Sequence, residues 1–537
     1  MSSPPFDVVV AGGTVVDGSG RPGRTADVGI RRDRIGSIGD LSTADAVRRI
    51  DAGQKVVCPG FIDAHSHSDL SLLSDGRGLS KVHQGVTTEI VGNCGLAVAP
   101  LANREAIAGV RDAIYIVDPD PSVAWDWRSV GEYFQRVESS GVSINVALLA
   151  GHLAMHASLV GYANRPPTSD EVLHMQTLLD AALADGAIGL STGLMYAPIS
   201  YAGLDELVAL GDIVARYDRV FAMHMRNYGD HLLEAVDEAM RVGEASGCRI
   251  QASHLCVVGR RNWGTVVHAL ERMDEARSKG VRARADIYPY VAGSANLSQL
   301  LPGWAHEGGT QAMVERLRTP ADRERIRAEW RTTLVQQWDE VLVCWVRADG
   351  DTSAVGKYVS DIAAERRAAP DETALDLIAA EQGLVNMIAF GRSEDDLLAV
   401  LRHPETLIGS DGLAVDPDGP SGSGHPHPRY YGCYPRLLGR YVRDAGSLEL
   451  EAAIRRCTGL VAETFGLAER GTLEVGRVAD VVVFDPATVI DEATFLEPQR
   501  FPTGIETVLV NGTLVVDHGQ HTGARPGQVI RGNQRAG

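Results

Sequence analysis

The segment CPGFIDAHSHSD, residues 58–69, runs apolar through Phe61 and Ile62 and then places Asp63, His65, His67 and Asp69 at every second position. Carboxylate and imidazole are the groups that hold metal ions and move protons near neutral pH. Alternate side chains of an extended segment share a face, so His65 and His67 can reach one point together. The pattern recurs along the chain. Cys94 follows TTEIVGN, His224 ends RVFAM, His254 ends RIQAS, and Asp411 ends TLIGS. Imidazole, thiolate and carboxylate are the ligand types of zinc, and a catalytic zinc site keeps one position open. One histidine at a strand end is ordinarily a hydrogen-bonded core residue. Six potential ligands at five strand ends point instead to a metal centre.

Side chains so far apart in the chain need a scaffold that brings strand ends together. Eight short apolar runs alternate with helical stretches such as SDEVLHMQTLLDAALADG: GFIDAH, TTEIVGN, INVALLAGH, AIGLSTG, RVFAMHM, RIQASHL, RARADIYP and TLIGSD. Strand–helix alternation implies a parallel sheet covered on both faces, and eight repeats suit a (β/α)8 barrel of the TIM type, whose active sites lie at the C-terminal ends of the strands. This reading makes residues 57–466 the barrel. The stretch after the seventh run is too long for one connection, so about 291–353 reads as an inserted subdomain over the site. The glycine-rich segment DPDGPSGSGHPHPRYYG reads as a second, mobile cover. Both chain ends are β-rich with glycine turns, including the Asn511-Gly512 hairpin signal, so residues 1–56 and 467–537 are expected to build one small β domain from two segments.

Composition narrows the function classes. With 51 basic and 70 acidic residues the formal charge is −19, and no basic patch argues for nucleic acid. No apolar run approaches membrane-spanning length, and the start lacks a signal-peptide pattern. Seven scattered cysteines do not read as a disulfide framework. The expectation is a cytoplasmic protein acting on a small molecule, with no nucleic-acid or membrane partner and an undetermined oligomeric state.

The motifs PGFIDAHSHSD, GVTTEIVGNCG, GLSTGLMYAP, HMR, ASHL, NWG, DIYPY, LIGSDG, HPRYYG and ADVVVFD, spread over nearly the whole chain, resemble the amidohydrolase superfamily and within it the D-aminoacylase family of N-acyl-D-amino-acid deacylases. The resemblance implies a barrel with an insertion and a two-segment β domain. It implies a tightly held zinc on Cys94, His224 and His254, with His65, His67 and Asp411 facing the same cavity and able to form a weaker second metal site. Many amidohydrolases use a carboxylated lysine after the fourth strand. AIGLSTGLMY offers no lysine, and Cys94 takes that ligand role. Asp411 is then the natural general base and acid, taking a proton from water that zinc has acidified and passing it to the departing amine. Tyr196 or His152 is positioned to donate to the developing oxyanion.

The resemblance breaks at the substrate pocket. Relatives hold the substrate's α-carboxylate with a lysine shortly after the sixth-strand histidine, a tyrosine of DxYPY, a nearby hydroxyl and the arginine of HPR. Tyr288, Ser294 and Arg429 match three of these, but Cys256 stands where the lysine is expected. The segment after Arg226 also differs, reading NYGD in place of acidic residues. Two enzyme readings follow. One is an N-acyl-D-amino-acid deacylase that manages with Arg429 and Tyr288; the other is a hydrolase of a neutral amide, carbamate or cyclic amide. Cys256 is also a candidate metal ligand. A non-catalytic amidohydrolase-like scaffold would be expected to have lost ligands that are all present here. A nucleobase deaminase would need the glutamate of an HxE signature, which is absent beside the histidines.

Overall fold

The computed structural model describes residues 5–533 except 116, 117, 119, 121, 348, 420 and 421. Eight parallel strands form the central sheet in chain order: Phe61–Asp63, Val86–Val91, Asn145–Gly151, Gly189–Gly193, Val220–His224, Arg249–Ala252, Ala283–Ile287 and Thr406–Ile408. The last meets the first through Ala64 N–H to the Ile408 carbonyl at 3.4 Å and a parallel bridge between Ser66 and Gly412, which nearly closes a (β/α)8 barrel. Each of the eight apolar runs is one of these strands. They read as near-continuous apolar runs because a parallel strand is buried on both faces. Ile62, Ile90, Leu149, Ile188, Val220 and Leu407 pack together inside, and Leu460, Val461 and Phe465 of the helix Gly459–Phe465 join them. That helix is tied to the strands' N-terminal ends by Arg249 and Arg284, which bond Thr464.

The chain ends build one nine-stranded sheet. Its junction is antiparallel, with Val481–Phe484 laid against Val56–Pro59 so that Val481 faces Pro59. The hairpin between Ile505–Val510 and Thr513–Asp517 turns at Asn511 and Gly512, both at positive φ, 48° and 75°. That conformation is why Asn-Gly marks such turns. Two boundaries differ from those expected. The first segment reaches Pro59 rather than residue 56, since that strand is the one the C-terminal segment pairs with. The tail leaves the sheet: Val146 donates to Gln528 at 2.9 Å and Ile530 donates to Val146 at 2.8 Å, so the end of the chain runs along the third barrel strand.

The insertion is larger than residues 291–353. Its antiparallel sheet joins Gly293–Asn296, Val385–Ala389 and Val341–Val346, with Val385–Ala389 in the centre. Leu317, Ile326, Trp330, Val343, Ile362, Leu375, Ile378 and Met387 form its separate core. Helices Val359–Arg366 and Pro370–Ala380 belong to that core, although in sequence they look like barrel helices. Pro420 and Ser421 of the glycine-rich segment lie outside the described residues. No helix among the described residues is long and apolar enough to cross a membrane.

Candidate metal and active site

The ligands stand where strands end and the chain turns sharply. Cys94, His254 and Asp411 have φ of 55°, 34° and 50°, in the left-handed region that costs a non-glycine residue about 1–2 kcal/mol. Neighbouring contacts hold these conformations. The His254 N–H donates to Asp286 Oδ1 at 2.9 Å, and the Asp411 N–H donates to the His65 carbonyl at 2.8 Å. Strain retained at three such positions turns their side chains toward one point.

At that point one ligand atom from each of His65, Cys94, His254 and Asp411 lies within 4.8 Å of every other. Cys94 Sγ is 3.2 Å from His65 Nε2 and 3.5 Å from His254 Nε2. His67 Nε2 is 3.0 Å from Asp411 Oδ1. His224 is not in the four-residue set, but its ring stands edge-on to His254 with centroids 4.5 Å apart. Its Nδ1 lies 3.3 Å from the Tyr196 hydroxyl, while its buried Nε2 has no hydrogen-bond partner among the described residues. An orphaned buried nitrogen on a ring packed against His254, itself 3.5 Å from the Cys94 thiol, is what a cation would satisfy, so the donor set fits zinc.

The protonation states agree with this fit. Burial holds His224 and His254 well below the ordinary histidine range, so both are neutral and able to ligate. Burial pushes the Cys94 thiol up to about 11, so that without a cation it stays protonated. Burial would also raise Asp411, but Arg429, whose Nη1 is 3.0 Å from Oδ2, and His67 outweigh it and hold the carboxyl well below its usual range. Asp411 is therefore ionised and ready to accept a proton.

The remaining sequence candidates divide. Of the alternating quartet only His65 and His67 reach the centre. Asp63 pairs with Lys81 at 2.7 Å, and Asp69 accepts the Gly92 N–H at 3.0 Å, because the strand ends at Asp63 and the alternation ends with it. His152 faces away from the cavity: its Nδ1 is 2.9 Å from Thr192 Oγ1, its Nε2 is 2.9 Å from Glu206, and it is not among the lining residues. Tyr196 does line it, together with Cys256, Tyr288, Ser294 and Arg429, in a space of about 470 Å³ that opens on the metal ligands. Cys256 lies outside the ligand set, since the strand ends at Ala252 and the positive φ of His254 breaks the alternation. Arg226 is structural, bonding Glu238, Ser200 and Ala202.

Three residues in or behind the candidate site escaped the sequence reading. Asp286 accepts from the His254 backbone, lies 3.1 Å from His65 Nδ1 and accepts from Gln251. A carboxylate next to the end of the strand ARADI, within the motif DIYPY, was the available signal. Lys81, fully buried, bridges Asp63 and Glu89 at 2.7 and 2.9 Å behind the first two strand ends. Arg392 enters the cavity from the end of the insertion.

A cluster of candidate metal ligands at the C-terminal mouth of a (β/α)8 barrel, with an aspartate just after the last strand, is the arrangement of metal-dependent hydrolases. The amidohydrolase family model matches residues 48–516. D-aminoacylase of Alcaligenes xylosoxydans xylosoxydans is 36% identical over 528 residues, 98% of either chain. N-acyl-D-glutamate deacylase of the same organism is 37% identical over 530 residues, 98% of this chain and 96% of that one. The crystal structure of N-acyl-D-glutamate deacylase from Bordetella bronchiseptica, complexed with zinc and a phosphonate mimic of the tetrahedral intermediate, superposes with a TM-score of 0.82 at 36% identity over 98% of this chain and 99% of that one. The chain belongs to the amidohydrolase family, in its D-aminoacylase branch.

Proposed function

We propose that the protein is a zinc-dependent deacylase that hydrolyses the amide C–N bond of N-acyl-D-amino acids. The observation that carries this is the approach of Cys94 to His254, 3.5 Å, and of His67 to Asp411, 3.0 Å, at the floor of one cavity. Cys94, His224 and His254 would hold the tight zinc, and His65, His67 and Asp411 would bound the weaker second position. Zinc, when bound, supplies polarisation of the amide carbonyl and acidification of water. Asp411, kept ionised by Arg429, takes the proton from the attacking water and returns it to the departing nitrogen. Tyr196, lining the cavity beside His224, donates a hydrogen bond to the carbonyl oxygen as it gains charge. Seven unpaired, buried cysteines fit a cytoplasmic location.

The test is acetate release from N-acetyl-D- and N-acetyl-L-amino acids, before and after zinc removal with 1,10-phenanthroline. Activity on the D series that disappears with zinc and returns on its addition is expected. Turnover unchanged in fully demetallated protein would rule the reading out, and selective cleavage of neutral amides would move the substrate class to the alternative.

A further inference from the structure

Two guanidinium groups enter the cavity, and the acids around them are unequally shared. Arg429 pairs with Asp411, Nη1 lying 3.0 Å from Oδ2, while its buried Nε and Nη1 make no hydrogen bond among the described residues. Asp230, at another edge of the cavity, is bonded by Arg261 at 2.8 Å. Arg392 makes no ion pair with any carboxylate among the described residues; its Nη1 donates to the Tyr288 hydroxyl at 2.6 Å. Both guanidiniums lie against the Tyr288 ring, with Cζ 4.5 Å from its centroid for Arg429 and 5.3 Å for Arg392. Because the Tyr288 oxygen accepts from Arg392, its own proton is free, and no acceptor among the described residues receives it. Gly293 makes room for this group: a Cβ there would sit 3.0 Å from Arg392 Cζ and closer still to Nη2. A cation without a counter-ion, in a cavity that limits water, calls for an anion.

Arg392 also stands where the pocket lacks a cation. It lines the main cavity with Cys256, and the two share the wall of a smaller cavity behind. We infer that Arg392, projecting from the junction between the insertion's central strand and the barrel, is the residue that binds the substrate's carboxylate, with Tyr288 as second donor. The role usually filled by a lysine beside the sixth strand has moved to a residue more than a hundred positions later in the chain. This rests on the deacylase reading above and adds that substrate recognition is shared by the two structural units: the metal comes from the barrel, the cation from the insertion's exit.

The experiment compares zinc-loaded wild type, Arg392→Met, Arg392→Lys and the double variant Cys256→Lys/Arg392→Met on N-acetyl-D-methionine, its carboxamide and N-acetyl-D-glutamate. Arg392→Met should lower kcat/KM on the carboxylates by about 10- to 100-fold, chiefly through KM, the factor a charge-assisted hydrogen bond is worth, and lower it far less on the carboxamide. Arg392→Lys and the double variant should recover part of that loss. A loss confined to N-acetyl-D-glutamate would assign Arg392 to a side-chain carboxylate rather than the α-carboxylate. Equal effects on carboxylate and carboxamide, or unchanged KM in Arg392→Met, would overturn the inference while leaving the deacylase reading intact. If wild type cleaves none of these compounds, the parent reading fails, and calorimetry with N-acetyl-D-methionine and its carboxamide still decides. Preference for the carboxylate in wild type but not in Arg392→Met supports the subsite, and equal binding overturns it.

Discussion

Asp286 Oδ1 lies 3.1 Å from Nδ1 of His65 and so fixes which nitrogen of that ring faces the metal centre. The same oxygen accepts the His254 backbone N–H at 2.9 Å, which makes one carboxylate the support of two rings. Burial alone would lower His65, yet the Asp286 carboxylate holds it above the ordinary histidine range.

Replacing Asp286 with Asn should therefore weaken the metal site without removing a ligand. Losing such a support typically costs about 10- to 100-fold in metal affinity. Competition against a zinc chelator measures it, and an unchanged dissociation constant would show that His65 and His254 hold their positions unaided.

Asp411→Asn keeps the shape of the residue and removes its basicity. The expected result is kcat lower by about 10²–10⁴-fold with zinc content retained, the range for a positioned acid/base group. Near-normal kcat would assign the proton transfer elsewhere.

Lys81 is the sole cation given to two fully buried carboxylates among the described residues, Asp63 and Glu89, and it also donates to Ser410 at 2.6 Å. Lys81→Met leaves both acids without a cation in the wall behind the site, with only neutral donors such as Ser410 and Ser68 on them. Breaking a buried ion pair in this way costs about 3–5 kcal/mol. Denaturant unfolding of the variant should show a loss of that order, and a change within error would mean the acids simply take up protons.

Glu206 gives a pH-dependent test remote from the metal. Burial pushes its carboxyl up, but hydrogen bonds from His152 and His156, at 2.9 and 2.8 Å, outweigh burial and hold it at about 2, against an ordinary 4.5. A carboxyl lowered on folding stabilises the protein above its unfolded pKa, and that stabilisation is lost as pH falls through the folded value. The shift corresponds to about 3 kcal/mol. The stability gap between wild type and Glu206→Gln should thus be full above pH 4.5 and narrow toward pH 2. A gap independent of pH would contradict the ionised carboxylate.

By itself the sequence determined the barrel, the two-ended β domain and most of the centre. Strands buried on both faces announce themselves as short apolar runs, and each ligand follows its run directly, as His224 follows VFAM and Asp411 follows LIGS. It also showed that Cys256 leaves the pocket without the expected lysine. Tertiary structure alone decided what those signals could not carry. The left-handed backbone at His254 and Asp411 is held by bonds to Asp286 and to the His65 carbonyl, on other strands, so alternation counted along one strand made Cys256 look like a ligand. His152 sits at a strand end like the ligands, yet Thr192 and Glu206 claim both its ring nitrogens. The insertion was cut short because helices Val359–Arg366 and Pro370–Ala380, beyond residue 353, pack in its separate core, which only the fold shows. Arg392 was invisible for the same physical reason: in a linear reading an arginine beside Ser393 and Glu394 is a surface charge, and only the fold lays it against Tyr288 and Cys256.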